Sequence, residues 1–460
     1  MNEHTHKHKS ERTVRKREER IRFFEDILAR ENDGNIAPIL QDMSPEDIAE
    51  ILGEFSAEEK VRIFKLLNEE NAAVVLDDTD PQSRLQILQK IDKNTLAKVL
   101  DVMPVDEAAD VVEDMPEHKR EGILDLMEED DAEDVEEILS YPEDSAARVM
   151  NPEFVSVSED SDVEGAINRI RGMEIDEDFF YVYVTDAMDR LKGTIKVIKL
   201  LTAPKGTLVR DLMETDIYSV PVDEDQEKAA MVMKKYDLFS LPVVDKDNKL
   251  VGRITVDDIM DVIEEESGED ISRMTGTIEA EHGTETTIRA TSNRLPWLIS
   301  CMLGSIITGL VIRTFQVTLT EMIALVSFIP VVTATGGNSG VQASTVVVRE
   351  IALGYMDLGR VAEELWRQFK IALGLGITCG IVLSVIVNFM VKSSLVGVIV
   401  GTSIFLVVIW SNFVGVMTPV IFKKINIDPA LASGPLITTL NDIIGVFIYL
   451  SIATVFLSKF

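Results

Sequence analysis

Residues Ala430–Phe456 read ALASGPLITTLNDIIGVFIYLSIATVF, an apolar run long enough to cross a bilayer as a helix, with a single acid, Asp442, inside it. About twelve residues at roughly 1.5 Å each place that acid near the bilayer midplane. A carboxylate at such depth costs about 2.5–3.5 kcal/mol, so it is retained by facing a wet cavity, a partner charge or an ion. The other apolar runs contain no Lys, and their one Arg, Arg313, lies near the end of the first. The expected partner is therefore a cation from outside the chain. A carboxyl buried in protonated form, one bonded to an Asn or Thr of another helix, and a proton relay are the competing readings.

Four further runs are of membrane length: Leu295–Phe315, Met322–Val348, Ile371–Val391 and Leu395–Phe422. Nothing before them is comparably apolar, so a polytopic membrane domain follows a large soluble portion. Lys and Arg gather before the first span (Arg289, Arg294), between spans two and three (Arg349, Arg360, Arg367, Lys370) and between four and five (Lys423, Lys424). The opposite loops offer little beyond Arg313 and Lys392. This asymmetry predicts a cytoplasmic N-terminus and an external C-terminus. The charged stretch Met1–Arg20 does not read as a secretory signal.

Cys301 and Cys379 both fall within spans, which argues against a disulfide or a thiolate metal site. His4, His6, His8, His118 and His282 all lie outside them. The cluster His4, His6 and His8 reads as a solvated tail, with soft-metal binding as its sharper alternative. Oxygen ligands remain for the spans, and these suit Mg²⁺, Ca²⁺ or Mn²⁺. A formal net charge of −34 disfavours nucleic acid as a partner. Repulsion on that scale also makes packing of the soluble part sensitive to multivalent cations.

The soluble half changes texture twice. A basic tail runs into a helix over Arg17–Arg30. From Ile36 to about Ala147 come short helical patterns, several introduced by proline, as at Pro45, Pro81, Pro104 and Pro116. Units of about a dozen residues with one apolar stripe cannot bury it alone, so they are expected to stack as an α-superhelix. After Asn151 a strand, a helix (Val163–Met173) and two strands (Phe179–Val184 and Leu191–Ile195) follow in order. The order recurs with Tyr218–Val220, Gln226–Tyr236, Leu241–Asp245 and Leu250–Thr255. This duplicated β-α-β-β-α unit resembles a tandem pair of CBS modules, and its second copy carries Leu241-Pro242-Val243-Val244-Asp245 and Gly252…Thr255…Asp258.

Next comes a helix holding Asp257, Asp258, Asp261, Glu264, Glu265, Glu266, Glu269 and Asp270 with no basic residue among them. Asp258, Asp261 and Glu265 can share a face, where like charges destabilise the helix unless something neutralises them. It is read as a surface for divalent cations, against the alternative of a solvated acidic face. In span two, Pro330, Gly336-Gly337, Asn338 and Gln342 predict a helix that kinks or partly unwinds in mid-membrane. Its glycines fit cavity lining and close helix packing equally, and Asn338 fits cavity lining.

The order of an acidic helical domain, a CBS pair, an acidic connecting helix and five spans resembles the MgtE family of magnesium channels and transporters over nearly the whole chain. Pro330…Gly336-Gly337-Asn338…Gln342 and Asp428-Pro429-Ala430…Ser433-Gly434-Pro435…Thr439…Asp442 are similar to its two membrane signatures. The resemblance implies a multidomain fold: residues 1–30 as tail and first helix, 31–148 as the α-superhelical domain, and 149–205 and 206–264 as α/β CBS modules. Residues 265–294 then form a connecting (plug) helix and linker, and 295–460 an all-α five-helix domain. It further implies a homodimer in lipid, in the inner (plasma) membrane of a bacterium, serving magnesium homeostasis. A hydrated Mg²⁺ would lie beside Asp442, with Asn338, Gly336, Gly337 and Thr439 lining the pore. Regulatory Mg²⁺ would bind Asp106, Asp110, Asp258, Asp261, Glu266, Glu269 and Asp270 and close the pore. ATP at the CBS pair is also implied, at Tyr181 and Thr255, but the first copy departs from the pattern with Lys196 and Lys199 where the second has Thr255 and Asp258.

A Mg²⁺/Na⁺ or Mg²⁺/H⁺ exchanger and a membrane-tethered sensor without transport are the rival readings. No nucleophile–base pair or phosphate-cradling loop points to an enzyme.

Overall fold

The computed structural model describes residues 20–24, 26–28, 33–120, 122–173, 179–277, 287–356, 358–432 and 434–459. The tail with His4, His6 and His8, the linker with His282, and Ser433 lie outside them. Two compact units divide the described residues, one ending at Glu264 and the other beginning at Glu265.

The first unit opens with short helices: α1 (Asp33–Gln41), α2 (Pro45–Leu52), α3 (Ala57–Phe64), α4 (Glu69–Asp77), α5 (Pro81–Lys90), α6 (Lys93–Leu100), α7 (Val105–Asp114), α8 (Glu117–Arg120) and α9 (Glu129–Ser140). Their starts follow from capping chemistry. Ser44, Asn68, Asp80 and Asp92 each accept a first-turn backbone N–H, and Ser56 forms a reciprocal capping box with Glu59. Pro45 and Pro81 take the first helical position as expected, whereas Pro104 is the cap residue of α7 and Pro116 precedes α8. A ring without an N–H costs nothing at either place, since the helix has no carbonyl to offer there. Apart from the short polar α8, these helices turn their apolar stripes into a shared core running from Phe24 through Ile48, Leu76, Val99 and Val111 to Ile138.

Two α/β modules follow. Strands β1 (Ser156–Ser158), β2 (Tyr181–Thr185) and β3 (Leu191–Lys196) form one sheet, with α10 (Val163–Arg171), α11 (Val197–Thr202) and α12 (Val209–Leu212). The second has β4 (Val220–Pro221), α13 (Gln226–Tyr236), β5 (Ser240–Val244), β6 (Leu250–Thr255) and α14 (Val256–Thr275). In both, the first strand pairs parallel to the second and the second antiparallel to the third. The duplication read from sequence is thus a duplication of topology. Tyr183, Leu191, Val244 and Leu250 form a small core between the modules, and Tyr183 Oη lies 2.7 Å from Ser240 Oγ. Helix α14 is continuous across the boundary expected at 264/265, so the acidic connector is an extension of the last CBS helix.

In the second unit five helices are long and apolar enough to span a membrane: α15 (Thr287–Thr314), α17 (Ile329–Ala352), α18 (Val361–Val391), α19 (Ser394–Lys424) and α20 (Gly434–Leu457). The short α16 (Gln316–Glu321) precedes α17. Here one expectation fails, because α17 does not unwind at Gly336-Gly337 but is α-helical throughout. Its irregular backbone lies earlier, at Met322 (φ −135°, ψ 74°) and the 3-10 turn Ile323–Phe328, and Pro330 starts the helix. The cause is packing. A Cβ on Gly336 would fall 2.7 Å from Val407 Cγ1 of α19, and one on Gly415 of α19 would fall 2.4 Å from the Gly340 carbonyl oxygen. Small residues there let helix backbones touch, which outweighs the roughly 1 kcal/mol of helix propensity a glycine forfeits.

Candidate ion sites

Asp442 lies in the ninth position of α20 and is partly exposed on the surface of the single chain, and Asn338 of α17 is exposed. The two helices meet where Gly337 faces Thr438, a Cβ there falling 3.3 Å from Thr438 Cγ2. Asn338 follows Gly337 in α17, and Asp442 stands one turn beyond Thr438 in α20.

The other expected pore residues divide. Gly336 and Gly337 are buried in helix–helix contacts. The Thr439 hydroxyl donates to the Pro435 carbonyl at 2.7 Å, which leaves its oxygen lone pairs, and its methyl meets Gly304 of α15. A hydroxyl returned to the preceding turn is a common use of Thr in a helix. The adjacent Asn441 is 1 % exposed, against the contact of α17 with α19.

In the first unit the acids come together at two places. Asp106 of α7 and Asp258 of α14 line one cavity of about 310 Å³, with Asp257, Thr255, Arg253 and the rings of Phe180 and Phe239. The rings lie 5.3 Å apart, centroid to centroid. Asp258 accepts from Thr255 N at 2.7 Å and from Thr255 Oγ1 at 2.6 Å, so the hydroxyl expected at a nucleotide is already engaged. Tyr181 begins β2 and is absent from that lining.

The second place was not anticipated. Asp77 and Asp78, at the end of α4, face Asp258 and Asp261. Burial pushes the Asp77 carboxyl up to about 6, Arg84 opposes this, and Asp78, Asp261 and Asp258 reinforce it. Burial likewise raises Asp261, with Glu264, Asp257 and Asp78 adding to the effect. Only the fold joins these acids, which stand more than 170 positions apart in the chain. Asp110 has a cation already, since Arg148 Nη2 lies 3.8 Å from it.

In the second unit, Arg273 of α14 bridges Glu269 and Asp428, the latter in the α19–α20 turn. Asp270 is raised to about 6 by burial and then by Asp428 and Glu266. Among the described residues no three His, Cys, Asp or Glu side chains converge closely enough to hold an ion. The acids are paired with bases or lifted in pKa, which is how close carboxylates are accommodated without a metal.

A pH dependence follows from Asp77. Its folded value near 6 exceeds the unfolded carboxylate value of about 3.9, so the folded chain binds the extra proton between them. In chelator, stability of the soluble half should therefore rise by up to about 1 kcal/mol as pH falls from 7.5 to 5, after discounting for partial exposure. Limited proteolysis of the full-length protein across that range checks the sign. Added Mg²⁺ should flatten the profile.

Known proteins bear on this arrangement. The family model described as a divalent cation transporter (MgtE) matches residues 329–452, the MgtE intracellular N domain matches 43–144, and a CBS domain matches 209–265. The magnesium transporter MgtE of Bacillus subtilis is 34% identical over 321 residues, 70% of this chain and 71% of that protein. The chain belongs to the MgtE family. MgtE of Thermus thermophilus is 35% identical over 329 residues, 70% of this chain and 72% of its own length. A crystal structure of the cytosolic domain of the Mg²⁺ channel MgtE in complex with ATP aligns with 52% of this chain and 98% of its own, at 31% identity and a TM-score of 0.49. The MgtE transporter match takes in α17 and α20 to Ile452, hence both Asn338 and Asp442.

Proposed function

We infer that this multi-pass membrane protein, a transporter and not an enzyme, carries Mg²⁺ past Asp442 and Asn338, and that Mg²⁺ on the side of its soluble half closes the path. The observation that carries the reading is the partly exposed Asp442 on a membrane-length helix, with an exposed Asn338 on the helix that packs against it at Gly337 and Thr438. Five spans are few for a pore. A closed two-fold pairing sets two Asp442 carboxylates about an axis, and two acids with several amide and carbonyl oxygens suit an ion that sheds water reluctantly. Such a homodimer sits in lipid with the soluble half in the cytoplasm and the C-terminus outside, as the Lys and Arg distribution requires.

Closure rests on carboxylate repulsion. Asp77, Asp78, Asp258 and Asp261 crowd together, as do Asp270, Glu266 and Asp428. Helix α14 carries acids of both groups, so divalent cations that quench the repulsion act on one continuous rod. The nucleotide reading is narrower. The cavity with Phe180, Phe239 and Thr255 is walled by Asp106, Asp257 and Asp258, so ATP would enter it only as its Mg²⁺ complex. Calorimetric binding of ATP in chelator should be absent.

The test is uptake by proteoliposomes. Mg²⁺ should enter down its gradient with a current reversing at the Mg²⁺ equilibrium potential, and Mn²⁺, Co²⁺ and Ca²⁺ in competition measure selectivity. An electroneutral exchanger gives uptake without current, and a sensor gives neither.

A further inference from the structure

Arg148 is a buried cation at the edge of an acidic domain, and the function above makes no use of it. It lies in the segment after α9, with a side chain 5% exposed. That segment is strapped to the second CBS module: Ala147 N donates to Val222 O at 3.2 Å, Asn151 N to Arg253 O at 2.8 Å, and Arg253 N to Asn151 O at 2.9 Å. The guanidinium reaches back to α7, where Nη2 bonds the Glu113 carboxylate and lies 3.8 Å from Asp110 Oδ1. Asp110 and Glu113 are three residues apart on one helix face, so their carboxylates repel unless a cation separates them. More acids (Glu143, Asp144, Asp223 and Asp225) line the adjoining cavity of about 610 Å³. Arg148 Nη1 has no acceptor among the described residues, so charge rather than a full set of hydrogen bonds holds the group there.

We propose that Arg148 is a tethered counter-ion standing where a divalent cation would otherwise sit, so that the Asp110–Glu113 edge of the helical domain stays docked without Mg²⁺. Of these two edges of the helical domain, the Asp77–Asp261 one is then the one that responds to the metal. This rests on the gating reading above. Removing Arg148 leaves two neighbouring carboxylates, themselves partly solvated, with no cation between them. With their acidic surroundings they become a site for a divalent ion.

The experiment uses the full-length protein, Mn²⁺ as spectroscopic probe and limited proteolysis in chelator and in millimolar Mg²⁺. Arg148→Gln should be cleaved at least tenfold faster than wild type in chelator, recover to wild-type resistance in Mg²⁺, and bind one more Mn²⁺ per chain. Arg148→Lys should behave as wild type. Arg148→Gln with Asp110→Asn should lose both the extra Mn²⁺ and the Mg²⁺ requirement. A deficit in Arg148→Gln that is the same in chelator and Mg²⁺, with an unchanged Mn²⁺ count, overturns the proposal and leaves Arg148 a packing residue. If wild type does not respond to Mg²⁺ at all, the gating reading fails, and the Mn²⁺ count still decides the role of Arg148.

Discussion

Replacing Asp442 by Asn should reduce Mg²⁺ uptake into proteoliposomes by at least about tenfold while leaving the protein folded. A divalent ion about 5 Å from a carboxylate, with water between them, gains about 1.7 kcal/mol even at the dielectric constant of water. Tenfold corresponds to about 1.4 kcal/mol, so the weakest reasonable estimate of the lost interaction already suffices. At the effective dielectric of about 20 that suits protein sites, the same geometry gives about four times more. Stability should move the other way, since the substitution removes a charge that costs about 2.5–3.5 kcal/mol at mid-membrane. Reduced uptake with an unchanged or higher melting temperature separates an ion-binding role from a structural one. Uptake retained in full would put the cation path elsewhere.

Gly415→Leu is the substitution expected to damage the membrane domain most. A Cβ there would fall 2.4 Å from the Gly340 carbonyl oxygen and 3.0 Å from Ala343 Cβ. The nearest obstacle is helix backbone, which cannot rotate aside as a side-chain tip can. Helices α17 and α19 must separate, at a cost of about 3 kcal/mol or more, the upper range for overpacking. The shift would also displace α17, which carries Asn338, so uptake should fall together with thermal stability in detergent. Gly374→Leu is the control: nothing lies within 4 Å of a Cβ at that position, and the change should stay within about 0.5 kcal/mol.

Much of this was legible in the sequence wherever the signal is local. Helix starts at Pro45 and Pro81, the repeated strand order and the apolar spans all lie within windows of a few turns. Asp442 was legible too, because a lone acid in an apolar run stands out against its surroundings. What stayed hidden depends on residues far apart meeting. Asp77 and Asp78 look like any acidic helix end until α14 lies opposite them. Arg148 is one of many basic residues until it closes on Asp110 and Glu113.

Span two misled for a related reason. Pro330 and the glycines carry a helix-breaking preference, but Gly336 and Gly340 are spent on close approach to neighbouring helices, and Pro330 on starting the helix.

Helix α14 joins the acids of the soluble half to the membrane domain, so its response to Mg²⁺ is where the account is most exposed. The decisive measurement is Mg²⁺ current through reconstituted protein while Mg²⁺ on the soluble-domain side is raised from nominally zero to the millimolar range. The account predicts a current that falls steeply, and less steeply once Asp77 and Asp261 are both changed to Asn. A current indifferent to that ion, or one that grows with it, contradicts the account.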